Sequence, residues 1–253
     1  IKSSILPLKQ ENEKLMKREY ENYLSLNYPL LPKMYGKING KNFHVYQFNK
    51  SQTLKNIKDF HFNKEDKIII IFQIMMIVEY LHKQKFVYRD LKPDNIMIDE
   101  NKTVFIIDFD RMLKITNVVK DQNHTNDLQD TYSAPEIFFG KILYENDIYS
   151  IGQMIYYIIN ESKPKTDKQS NAKIEYFYHN QKLLSLFKRC TEDELNKRPS
   201  ISDLMFEFYI IFSSQINDSM IHNLPIIQYF KGIIDKKDEY IKQDINKAIH
   251  YLT

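Results

Sequence analysis

Tyr88-Arg89-Asp90-Leu91-Lys92-Pro93-Asp94-Asn95, followed after a short gap by Ile107-Asp108-Phe109-Asp110, is the stretch that decides the reading of this chain. It sets carboxylates, an amide and a lysine beside apolar extended pieces that can fix them. Hard oxygen donors of this kind suit Mg²⁺, which takes one or two carboxylates together with phosphate oxygens. Phosphoryl transfer needs those metal ligands, a group to accept a hydroxyl proton and a cation on the moving phosphate. Any one Asp or Asn in a turn is ordinarily a turn former. The chemical reading rests on all of them at fixed spacing.

The rest of the composition bounds the answer. The chain has 253 residues, 43% hydrophobic and 27% charged, which suits a globular protein with a sizeable core. A net charge of +3 argues for neither a nucleic acid nor a membrane surface as partner. The single cysteine, Cys190, excludes an intramolecular disulfide and a cysteine-based zinc site, and fits a reducing, cytoplasmic setting. The most apolar run, Ile68–Leu81, is 14 residues long and carries Gln73 and Glu79. A membrane span needs about 20 apolar residues, so a buried core helix is expected there. The chain opens on Ile1, and its natural N-terminus is expected to lie further upstream.

Periodicity and punctuation give the coarse elements. An amphipathic helix is expected over 9–26, with Leu15, Tyr20, Tyr23, Leu24 and Leu26 on its apolar side. Residues 33–48 read as a hairpin turning at Asn39-Gly40. Asn63 with Asp66 opens a helix over 64–84. Short extended pieces broken by Pro93 cover 86–110, and 111–133 reads as a loop. Helices are expected over 147–160, 180–190 and 201–214, the last opened by Ser200 and Asp203. Strands early and helices late predict two unequal lobes of α+β type.

The decisive stretch closely resembles the catalytic loop of the eukaryotic protein kinases, H-R-D-x-K-x-x-N followed by D-F-G. Tyr88 stands in place of the histidine. The resemblance implies a bilobal kinase fold, with ATP and Mg²⁺ as cofactors and a protein substrate. It implies Asp90 as the base for the substrate hydroxyl, Lys92 on the γ-phosphate, and Asn95 and Asp108 as metal ligands. Arg89 would meet a phosphorylated activation-loop residue, with Thr116, Thr125 and Thr131 as candidates. Three further motifs follow in the family's order. Ala134-Pro135-Glu136 resembles A-P-E, Asp147 the aspartate that opens the central helix, and Arg198 the late arginine that pairs with the A-P-E glutamate.

On the N-terminal side, Glu19 lies where the family carries its helix glutamate, and Lys2, 17 residues earlier, fits the strand lysine, with Lys9 as a rival. Val45-Tyr46-Gln47-Phe48-Asn49 resembles the hinge. Tyr46 would be the gatekeeper, the backbone around Gln47 and Asn49 would bind adenine, and Met97 would pack beneath the ring. The bland reading of Met97 is core filling.

Two departures stand out. Asp110 replaces the glycine of D-F-G, and no G-x-G-x-x-G occurs, so the chain is expected to begin within the small lobe after that loop. The Lys92-Pro93-Asp94-Asn95 loop is of the serine/threonine type. A serine/threonine kinase over 1–214 is therefore expected, with a pseudokinase acting as a binding or scaffolding module as the alternative. The tail, 215–253, resembles a degenerate Sel-like repeat through Gly232, Asp244, Lys247, Ala248 and Tyr251, which implies partner binding through further helical repeats. An ordinary amphipathic terminal helix is the other reading.

Overall fold

A computed structural model describes residues 17, 19–36, 45–47, 51–115, 131–164 and 180–212, with backbone alone at 33–36 and 45–47. Lys2, Asn49, Thr116, Thr125, the Asn39-Gly40 turn and the 215–253 tail lie outside them.

The first helix, α1, is described over 19–24. Glu19 and Tyr23, one turn apart, are both buried, whereas Leu24 is 61% exposed. The expected apolar side is thus corrected: a carboxylate shares the inward face, and the helix is rotated so that Leu24 points out. Asn22 closes it, its carbonyl accepting from the backbone N–H and the hydroxyl of Ser25.

Strands β1 (Lys33–Gly36) and β2 (Val45–Gln47) pair antiparallel, as the hairpin reading expects, with Met34 opposite Tyr46 and a register shift before Gly36. Strand β3 (Ser51–Thr53), which the sequence reading did not distinguish, pairs with a later strand. A 3-10 segment, Leu54–Phe60, leads to helix α2 (Lys64–Lys83). Asn63 and Asp66 form the expected reciprocal cap, with Asp66 N–H donating to Asn63 Oδ1 at 2.7 Å and Asn63 N–H to Asp66 Oδ2 at 3.2 Å. Helix α2 buries eight hydrophobic side chains, among them Ile70, Ile74, Ile77 and Leu81, which accounts for its near-continuous apolar sequence.

Four short strands follow: β4 (Phe86–Val87), β5 (Ile96–Asp99), β6 (Val104–Ile106) and β7 (Leu113–Lys114). One sheet has the order β3-β5-β6, and β4 pairs separately with β7. β7 lies inside the stretch expected to be loop. Two residues are too few to show alternation, and the strand exists because Val87 and Phe86 offer it a partner.

The helical part is completed by α3 (Tyr144–Asn160), α4 (Gln181–Cys190) and α5 (Ile201–Phe212). Helix α3 starts three residues earlier than expected, because Asn146 sits inside its first turn, its Oδ1 accepting the Leu143 N–H at 2.8 Å. Helices α3 and α4 approach so closely that a Cβ on Gly152 would lie 2.7 Å from Cys190 Cβ. One continuous core runs from Tyr23 and Leu30 through α2 to Phe212. A small antiparallel sheet with α1 before a larger helical region is the bilobal α+β arrangement expected.

Candidate active site

The candidate catalytic segment is built on the turn between β4 and β5. Pro93 opens a single 3-10 turn, Pro93–Asn95, and Ile96 then starts β5 opposite Ile106 of β6. The Ile107 N–H donates to the Asn95 carbonyl at 3.0 Å, which carries Asp108 to the end of β6 beside that turn. Two non-glycine residues here have left-handed backbone, Arg89 at φ 72° and Asp108 at φ 67°. Such strain persists where the surroundings over-determine it, and it concentrates at functional sites.

At Arg89, what over-determines it is Asp147 at the start of α3. Its fully buried carboxylate accepts the backbone N–H of Tyr88 at 2.9 Å and of Arg89 at 2.8 Å, and lies 2.8 Å from His82 Nε2. Phe109 packs edge-on against Tyr88, centroids 5.7 Å apart, and against Tyr23 of α1 at 5.0 Å. The Tyr88 hydroxyl donates to the Ile107 carbonyl. Burial, joined by the charges of Asp90, Asp108, Asp110 and Asp147, holds its phenol well above the usual range, so it stays a donor.

Asp90 is buried and ringed by donors. Lys92 Nζ reaches its two oxygens at 2.8 and 2.9 Å, and Asn95 Nδ2 donates to Oδ2 at 2.7 Å and to the Asp90 carbonyl at 2.9 Å. Arg111 Nε stands 3.9 Å from Oδ2. Burial raises the Asp90 carboxyl above the usual aspartate value, opposed by Lys92, Arg111 and Asn95. With its amide N–H groups spent on Asp90, Asn95 has its oxygen left as a hard donor. That oxygen and the Asp108 carboxylate are the donor types Mg²⁺ takes alongside phosphate. Asp90, Lys92 and Asn95 are thus brought together, with the strand that carries Asp108 tied to Asn95.

The other expected residues lie on separate elements. Met97 is half-buried in β5, opposite Thr53 and Phe105. Tyr46 and Gln47 lie in β2, opposite Met34 and Lys33. Glu19 is buried on α1. Arg198 makes two hydrogen bonds to Glu136, of 2.6 and 3.0 Å, and Asn146 Nδ2 donates to the same carboxylate at 2.5 Å. Arg111, His82 and Asn146 were missed by the sequence reading, since the contacts that place them here are not local. In those contacts their partners lie 10 to 65 residues away. Cys190 is wholly buried, and burial pushes its thiol up to about 12, so it offers no thiolate nucleophile.

A family model described as the protein kinase domain matches residues 2–218. The chain belongs to the protein kinase family. Among similar kinases, the carbon catabolite-derepressing protein kinase of Candida glabrata is 26% identical over 246 residues, which cover 94% of this chain and 37% of that protein. Its counterpart of the same name in Saccharomyces cerevisiae is 30% identical over 167 residues, 63% of this chain and 26% of that protein. The calcium/calmodulin-dependent serine/threonine-protein kinase 1 of Oryza sativa is 32% identical over 108 residues, 41% of this chain and 17% of that protein. This kinase chain therefore spans well under half the length of each. No helix among the described residues is long and apolar enough to cross a membrane.

Proposed function

We propose that this domain transfers the γ-phosphoryl group of ATP to serine or threonine hydroxyls of proteins, and that Asp90, Lys92, Asn95 and Asp108 carry the reaction. The observation that supports it most is the pairing of one buried carboxylate, Asp90, with Lys92 and Asn95 inside a single short turn.

Bound Mg-ATP supplies the phosphoryl group and the metal charge that offsets its negative oxygens. Asp90 accepts the proton of the acceptor hydroxyl, and its contacts to Lys92 and Asn95 fix the direction it faces. Lys92 has three donors and spends two on Asp90, which leaves one for the phosphate. Asn95 Oδ1 and the Asp108 carboxylate would hold the metal. Glu19 would pair with Lys2 over the inner phosphates, and Tyr46, Gln47, Asn49 and Met97 would frame adenine. Serine/threonine direction rests on the Lys92-Pro93-Asp94-Asn95 loop and on the printed class of the Oryza relative. A cytoplasmic setting rests on the sole cysteine, and further protein partners on the repeat-like tail.

Phosphorylation of a generic protein substrate by the full-length protein, with Mg-ATP, tests the reading. Phosphoserine and phosphothreonine should form, and an Asp90→Ala control should lose them. Equal product from both would leave a binding module without catalysis.

A further inference from the structure

The segment that follows Asp108 is fastened along its length. The Arg111 carbonyl accepts from Arg89 Nη1 at 3.3 Å, and the Met112 N–H donates to the Phe109 carbonyl at 3.2 Å. Leu113 and Lys114 pair with β4, and the Ile115 N–H donates to the Lys85 carbonyl at 2.7 Å. These ties stay within the segment or run to the catalytic loop and its approach. One more does not. Asn22 Nδ2, on α1, crosses 90 positions of sequence to donate to the Met112 carbonyl at 3.0 Å.

Met112 itself is fully buried, so that carbonyl depends on a protein donor. Asn22 is also the residue whose own carbonyl ends α1, accepting twice from Ser25. Its side chain therefore acts at the end of the helix that carries Glu19, one turn away. The neighbouring Tyr23 meets Phe109 edge-on at 5.0 Å, but an aromatic contact tolerates sliding whereas a hydrogen bond to one carbonyl fixes register.

We propose that Asn22 is a positioning residue, clasping helix α1 to the Met112 carbonyl so that Glu19 and the Asp108-Phe109-Asp110 segment hold one register. It acts through the main chain of the activation segment and does not itself touch the reacting atoms. The inference rests on the kinase reading for its catalytic consequence, but the clasp can be tested without catalysis.

The experiment compares the full-length protein with Asn22→Leu, which has no donor, Asn22→Asp, which sets a carboxylate against the carbonyl, and Asn22→Gln, which restores an amide. Amide hydrogen exchange is followed in peptides covering 19–24 and 109–115, alongside the melting temperature and steady-state kinetics. Exchange should speed up in both peptides together in the Leu and Asp variants, with the melting temperature little changed. The catalytic efficiency should fall roughly tenfold, about the effect of one lost buried hydrogen bond, with the KM for ATP rising as α1 drifts, and Gln should recover part of it. Unchanged exchange in 109–115 for the Leu variant would overturn the clasp, whatever the activity. Should the Asp variant not fold, the Leu and Gln pair decides alone. A wild-type protein without phosphotransfer but with the paired exchange response would sink the kinase reading and keep the clasp.

Discussion

Glu136 and Arg198, 62 residues apart, meet through two parallel hydrogen bonds, Nη1 to Oε1 at 2.6 Å and Nη2 to Oε2 at 3.0 Å. Both residues are buried, and the guanidinium also donates to the carbonyls of Glu145 and Glu192. One side chain thus ties the Ala134-Pro135-Glu136 turn, the start of α3 and the approach to α5. Removing one partner strands a buried charge, which costs about 3–5 kcal/mol, whereas replacing both by apolar groups costs far less. Arg198→Ala should lower the unfolding free energy by about that amount, and Arg198→Met with Glu136→Leu should recover part of it. Denaturant unfolding of the four members of that cycle provides the check.

Gly152 is where α3 lets α4 come close. A methyl there would lie 2.7 Å from Cys190 Cβ and 3.1 Å from Thr191 Cγ2. Helix propensity alone would favour alanine by about 1 kcal/mol. The clash with a backbone-fixed Cβ outweighs it, so Gly152→Ala should destabilise by about 1–3 kcal/mol, the usual cost of overpacking. A melting temperature raised by the substitution would show that the helices can part freely.

As the proposed base, Asp90 would link activity and stability through pH. Burial raises its carboxyl above the ordinary aspartate value of about 3.9, although Lys92, Arg111 and Asn95 pull the other way. A group raised on folding contributes stability that is full below the unfolded value and is lost as pH rises through the folded one. Ionised Asp90 is therefore a liability to the fold at neutral pH, while the proposed base needs that ionised form. Asp90→Asn should raise the melting temperature near pH 7, and the gain should fade towards about pH 3. Melting curves of both proteins across that range decide it, and a gain that grows on acidification has the wrong sign.

The turn that joins Asp90, Lys92 and Asn95 was legible in the sequence because its members are local, and a tight turn converts their spacing directly into contact. The cap of α2 was legible for the same reason, as Asn63 and Asp66 satisfy each other. What escaped was set at long range. Helix α1 faces inward with Glu19 because of what lies opposite it, which no periodicity records. Arg111, His82 and Asn22 look like solvated or turn residues until Asp90, Asp147 and Met112 are placed beside them. Strand β7 is two residues that become a strand only against β4.

The central claim is that Asp90 serves the chemical step rather than the binding of nucleotide. A single-turnover measurement on the full-length protein, with Mg-ATP affinity measured in parallel, tests it for Asp90→Asn. The account predicts a transfer rate lower by about 10²–10⁴-fold at an affinity within about twofold of wild type. A transfer rate equal to that of the wild type would contradict it.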